Sequence, residues 1–176
     1  EALLLPNSLK SIERAAFSDN QISELNLPYG VEYIRVSAFS NNKIETLLLP
    51  NSLKSIGKSV FSHNQIRDLN LPDGVKFIGK YAFSNNKIEH LHLPESLKSI
   101  EGFAFIDNQI SELTIPSGVE YIEKSTFSNN IIEHLLLPKS LKSIKYSAFS
   151  DNQIRKLNLP DGVESIGKYA FSNNKI

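Results

Sequence analysis

Three of the four histidines in this 176-residue chain gather around one glutamate. His90 and His92 are two residues apart, Glu112 follows His90 by 22 residues, and His134 follows Glu112 by 22 more. Imidazole and carboxylate are the ligand types of a zinc site. If 22 residues make one coil of a stack, the four side chains share one face. His90 and His134 would then be two strand spacings apart, about 9–10 Å. That is wide for ligands of a single ion, each of which reaches about 2 Å to its metal. Solvated polar groups, or a patch that titrates near neutral pH, account for the same residues. No metal or other cofactor is expected, and His90, His92, Glu112 and His134 stand as an alternative metal set.

Other chemistry is absent. There is no Cys, which removes thiol catalysis, disulfides and Cys-ligated zinc. Serines recur as a ladder without a nucleophile–base–acid grouping, and no glycine-rich phosphate loop occurs. The chain reads as non-enzymatic. Its 19 basic and 19 acidic residues cancel, so it lacks the basic excess that a phosphate-backbone binder uses or a polybasic membrane tether requires. Its apolar runs are too short to span a bilayer. Neither nucleic-acid binding nor membrane insertion is expected.

The element that positions the histidines is a repeat. The eight prolines, Pro6, Pro28, Pro50, Pro72, Pro94, Pro116, Pro138 and Pro160, fall 22 residues apart, so eight units fill the chain. Three residues before Pro stands Leu, six after it Ile, eleven after it Phe (Phe17 to Phe171) and fourteen after it Asn (Asn20 to Asn174). About seven apolar positions per unit are too few for a domain but suffice for a coil that stacks and shares a continuous core. A second period lies on top, because residues 1–44 and 45–88 agree at 30 of 44 positions. Tandem duplication of a two-coil block explains it.

"LNLP" alternates inward and outward residues as a short strand does, and Pro, with no N–H, ends it. Turn formers such as Asp73-Gly74 follow, then a second short strand, "VKFI". "GKYAFS" is expected to turn the chain in a single helical or 3₁₀ turn. Stacked coils pair their strands in parallel, giving a rod about 35–40 Å long. The expected fold is a β-rich α/β solenoid of eight 22-residue coils with short parallel strands and single helical or 3₁₀ turns. Eight Phe at one register read as a core spine. The Asn column reads as a ladder that satisfies backbone groups in the turn.

The pattern "I-x-x-L-x-L-P" followed by "V-x-x-I-G-K-x-A-F", clearest in "LPDGVKFIGKYAFSNN" (71–86) and "LPDGVESIGKYAFSNN" (159–174), resembles the leucine-rich repeat, specifically the BspA-type repeat of microbial surface proteins. That family usually closes its turn with "AF-x-x-Cys", where this chain has Asn20, Asn42 and their equivalents. The resemblance implies a leucine-rich-repeat domain over residues 1–176, a bacterial or protozoan setting, and an extracellular or cell-surface location. The chain opens in mid-pattern without polar capping repeats. It reads as a fragment of a longer array whose bare ends, with Leu3, Leu5, Phe171 and Ile176, would associate end to end.

Function then belongs to the positions that change. On the outward face of the first strand these include Leu4, Leu48, His92 and Leu136 in one column and His90, Glu112 and His134 in another. In a solenoid the variable outward face is where partners dock. The expected function is a non-catalytic module for cell-surface adhesion or partner recognition. Its protein or glycan partner would be contacted by Leu48, His90, His92, Glu112, His134 and Leu136. The alternative is a structural spacer within a larger surface protein. On the second strand, Tyr33, Phe77 and Tyr121 alternate with serines and stand beside lysines. That spacing suits a ring filling the gap above a small neighbour, or a bound peptide or glycan.

Overall fold

A computed structural model describes residues 2–176. Each of the first seven coils carries two very short strands, and the eighth carries the second alone. The first strand, just before the proline, is β1 (Ala2–Leu3), β3 (Glu24–Asn26), β5 (Thr46–Leu48), β7 (Asp68–Asn70), β9 (His90–His92), β11 (Glu112–Thr114) and β13 (His134–Leu136). The second is β2 (Ser11–Ile12), β4 (Tyr33–Ile34), β6 (Ser55–Ile56), β8 (Phe77–Ile78), β10 (Ser99–Ile100), β12 (Tyr121–Ile122), β14 (Ser143–Ile144) and β15 (Ser165–Ile166). Every pairing is parallel and joins a residue to the one 22 positions on, such as Leu69 to Leu91 and Ile56 to Ile78. The chain is thus a parallel β-solenoid.

The core is the shared interior of the coils. Phe39, Phe61, Phe83, Phe105, Phe127 and Phe149 are fully buried. The rings stack from Phe17 to Phe171 with centroids 5.3–5.7 Å apart. Leu159 and Ile166, in the eighth coil, are exposed.

Beside the Phe stack runs the Asn ladder. The Asn86 side-chain oxygen accepts the Ile66 amide at 3.1 Å. Its Nδ2 donates to the carbonyls of Phe61, one coil back, at 2.9 Å and of Phe83, in its own coil, at 3.1 Å. The pattern recurs at Asn42, Asn64, Asn108, Asn130, Asn152 and Asn174. One buried amide therefore serves an amide and two carbonyls of the turns, backbone groups that a buried turn must pair.

The corner differs from expectation. No helical or 3₁₀ turn forms among the described residues. The backbone instead enters the left-handed region twice per coil. Once is nine residues after the proline, at Ala15, Ser37, Ser59, Tyr81, Phe103, Ser125, Ser147 and Tyr169, with φ from 51° to 64°. Amides three residues apart close the bend, as when Ala16 donates to the Glu13 carbonyl. A positive φ at the third residue marks a type II turn, which a helix cannot contain. Alternate corner amides point to the next coil, Phe17 to Ala38 at 2.8 Å and Asp19 to Ser40 at 2.9 Å. The corner thereby becomes a third hydrogen-bonded ladder. The second left-handed position, thirteen after the proline, holds Asp19, Asn41, His63, Asn85, Asp107, Asn129, Asp151 and Asn173. Asn, Asp and His are the residues enriched in that conformation, so the column varies only within a backbone constraint. Its alternation also bonds coils: Asn41 donates to Asp19 at 2.9 Å, Asn129 to Asp107 at 2.6 Å and Asn173 to Asp151 at 2.7 Å.

The 44-residue period has a structural counterpart, shifted by one coil from the block 1–44. Even and following odd coils are bonded more extensively. Leu27 donates to Leu48, Leu71 to His92 and Ile115 to Leu136. Ser52, Ser96 and Ser140 hydroxyls donate back to the carbonyls of Val31, Val75 and Val119. The first-strand sheet accordingly breaks between β5 and β7 and between β9 and β11. The second-strand sheet breaks once, between β10 and β12. Both strand ladders therefore lapse between coils five and six, where the corner bonds, the Asn ladder and the Phe105–Phe127 stack hold the coils together.

Candidate functional site

The first strand sorts its residues by alternation. Leu25, Leu69 and Leu113 point inward and are buried, while the residues on either side of each are exposed. Leu48 and Leu136 present 57% and 65% of their surface to solvent, a large fraction for aliphatic side chains. They stand four coils apart, about 19 Å along the rod, so they bound the face rather than form one patch.

The register decides which site residues meet. His90 stands opposite Asp68 and His92 opposite Asn70 across β7–β9. Glu112 stands opposite His134 and Thr114 opposite Leu136 across β11–β13. The ladder lapses between His92 and Thr114, so strand pairing does not join His90 and His92 to Glu112, although these three residues line one hollow. Among the described residues no three His, Asp or Glu side chains are placed to share a metal ion.

The lapse opens the face. Leu91 is half-buried where its counterparts Leu69 and Leu113 are buried, and two shallow hollows adjoin it. One is lined by Asp68, Asn70, Glu89, His90 and Glu112. The other is lined by His92, Leu93, Glu95, Thr114 and Pro116. Asp68, Glu89, Glu95 and Glu112 make the rim acidic, and Arg67 offsets one of them by pairing with Glu89 at 3.3 Å. Such a seat accepts a cationic side chain at its rim and an apolar one over Leu91.

On the second strand, Tyr33 and Tyr121 are partly exposed. The outward Ser143 beside Tyr121 is buried, as expected of a ring covering a small neighbour. Lys54 bonds Glu32, and Lys142 bonds Glu120 at 2.8 Å. The hydrogen bond and the charge of Lys54 hold the Glu32 carboxyl below the usual carboxylate range. Their counterparts from Glu32 and Glu120 raise Lys54 and Lys142 above the usual ammonium value.

Sequence reasoning missed the corner beyond this strand, where Tyr81, Phe103, Tyr146 and Tyr169 gather with lysines. Three aromatics in a column otherwise made of Ser and Ala were the available signal.

The BspA type leucine rich repeat region matches residues 1–108 and 54–176 in six copies. No curated protein matches the chain. Among solved structures, a leucine-rich repeat protein from Bacteroides ovatus is similar with a TM-score of 0.69 and 26% identity, over 95% of this chain and 50% of that one. The pneumococcal vaccine antigen PcpA is similar with a TM-score of 0.59 and 25% identity, over 93% of this chain and 51% of that one. A leucine rich cell surface protein from Faecalibacterium prausnitzii shares the fold, with a TM-score of 0.66 and 22% identity over 93% of this chain and 45% of its own. The chain spans about half the length of these structures.

Proposed function

The chain belongs to the BspA-type leucine-rich repeat family, and on that footing we propose that it is a non-catalytic binding module of a cell-surface protein. It docks a protein partner on the outward first-strand face. Family membership is consistent with a protein-interaction or surface-associated role, and similar proteins include a vaccine antigen and a cell surface protein.

The observation that carries the reading is the opening at Leu91. The scaffold repeats in every coil, yet here both strand ladders lapse and a half-buried leucine lies between two acid-rimmed hollows. A partner segment with an apolar side chain flanked by Lys or Arg fits that chemistry. Leu136 and Leu48 extend the contact along the rod.

The test is a binding screen of the chain against purified extracellular proteins, followed by substitution. Binding that His92→Lys, Leu91→Asn or Leu136→Asp weakens at least tenfold supports this face. Undiminished binding in all three variants moves the site elsewhere.

A further inference from the structure

We infer that the corner following the second strand is a separate site for a linear acidic polysaccharide carrying one carboxylate on every second sugar. It is built from Lys80, Lys124 and Lys168 on the aromatic bed of Tyr81, Phe103, Tyr146 and Tyr169.

The arrangement is continuous across coils four to eight. Tyr81 and Phe103 stack at 4.7 Å, and Tyr146 meets Tyr169 edge to face at 5.7 Å. Lys80 lies over both Tyr81 and Phe103, at 5.4 Å from each centroid. Lys124 lies over Phe103 at 5.6 Å and Tyr146 at 5.1 Å, and Lys168 over Tyr169 at 4.7 Å. All eight cation–π contacts among the described residues fall on the second strand or this corner.

The lysines remain available to an anion. The three ion pairs among the described residues use Lys54, Arg67 and Lys142. Two carboxylates, Glu101 and Glu123, line the hollow shared by Lys80, Phe103 and Lys124. Glu101 accepts the backbone amide of Lys80 at 3.1 Å, which ties it to the turn. Rings beneath the ammonium groups exclude water from one side and strengthen their attraction for an anion. Tyr146 and Tyr169 are exposed, and their hydroxyls suit the hydroxyls of a sugar.

The spacing suits the polymer. Lys80, Lys124 and Lys168 are 44 residues apart, which is two coils, or about 10 Å along the rod. Phosphates of a duplex strand rise about 3.4 Å each, so every third would meet the same interval, and the oligonucleotide comparison below separates the two polymers. Same-face carboxylates of an extended peptide recur at about 7 Å. Acidic groups borne on alternate sugars recur at an interval of the two-coil size.

The bed also departs from the rule of its own column. Tyr81, Phe103 and Tyr169 hold φ of 60–64°, a conformation in which bulky residues are outliers, while four other coils place Ser there. The column therefore tolerates a substitution that keeps the turn.

The test uses hyaluronan oligosaccharides in titration calorimetry at low salt, with a neutral glucan and a single-stranded oligonucleotide as comparisons. Hyaluronan should bind, with affinity falling as salt rises, and the comparisons should bind at least tenfold more weakly. Phe103→Ser with Tyr81→Ser, and separately Lys80→Gln with Lys124→Gln, should each weaken hyaluronan binding at least fivefold while thermal unfolding of the lysine variant is unchanged. Absence of hyaluronan binding, equal binding of glucan or oligonucleotide, or unchanged affinity in the lysine variant would overturn the assignment. The first-strand variants should leave hyaluronan binding intact, so this site and the protein-docking face fail independently.

Discussion

The backbone amide of Leu71 donates to the carbonyl of His92 at 3.2 Å. Leu93, one coil on, makes no matching donation to Thr114 among the described residues. His92 is thus bonded firmly to the coil before it and loosely to the coil after it. The docking face opens on the loose side.

That asymmetry is measurable without a partner. Residues seven after the proline, such as Glu101 and Lys145, donate to the strand-two Ile of the preceding coil at 2.9 and 2.8 Å. Glu123 does not donate to Ile100 among the described residues. The Glu123 amide should therefore exchange with deuterium at least tenfold faster than the Lys145 amide. Equal protection at the two sites would remove the idea of a weakened interface between coils five and six.

Asn86 should be indispensable to the stack. Asn86→Ala leaves the Ile66 amide buried without its partner, which costs about 1–3 kcal/mol, while the Phe61 carbonyl keeps the Asn64 side-chain amide at 3.2 Å. Chemical denaturation should show a loss of about 1–3 kcal/mol. A loss under about 1 kcal/mol would mean that water replaces the amide.

His63 interrupts the Asp–Asn alternation of its column. His63→Asp restores an acceptor for Asn85 at a position where Asp already occurs in three coils. One exposed hydrogen bond of this kind is worth about 0.5–1 kcal/mol, so the variant should melt slightly higher. An unchanged or lowered midpoint would show that the Asn–Asp bonds contribute nothing net.

The Glu32–Lys54 pair should respond to pH with a defined sign. Glu32 is held below the usual carboxylate range, so its contribution is present above that range and fades as pH falls through the lowered value. Lys54 is raised, so its contribution is present below the ordinary ammonium value and is lost as pH rises through the raised one. Both groups are solvent-exposed, and salt should suppress the effect. Comparison of wild type with Glu32→Gln across pH and salt reads it. A difference that persists in high salt would contradict this account.

Much of the scaffold was legible because each invariant column has one physical duty. The 22-residue prolines marked the strand ends, Phe105 and its equivalents the spine, and Asn86 and its equivalents the ladder. The corner was not legible. Ser37, Tyr81 and Phe103 carry no local signal for a left-handed backbone, which is imposed by the donation of corner amides to the next coil. For the histidine cluster, columns record registers but not which ladders close: strand pairing sets Asp68 opposite His90 and Glu112 opposite His134 and lapses between β9 and β11. The lysine–aromatic bed was hidden because its members come from two adjacent columns that are irregular when read separately.

The most direct test of the docking face is covalent footprinting of the chain bound to a protein recovered from the extracellular panel. The account predicts protection centred on His90, Leu91, His92 and Glu112 and reaching Leu136, with Tyr29 and Tyr169 still labelled. Protection confined to other faces, with the Leu91 opening labelled as in the free chain, would contradict it.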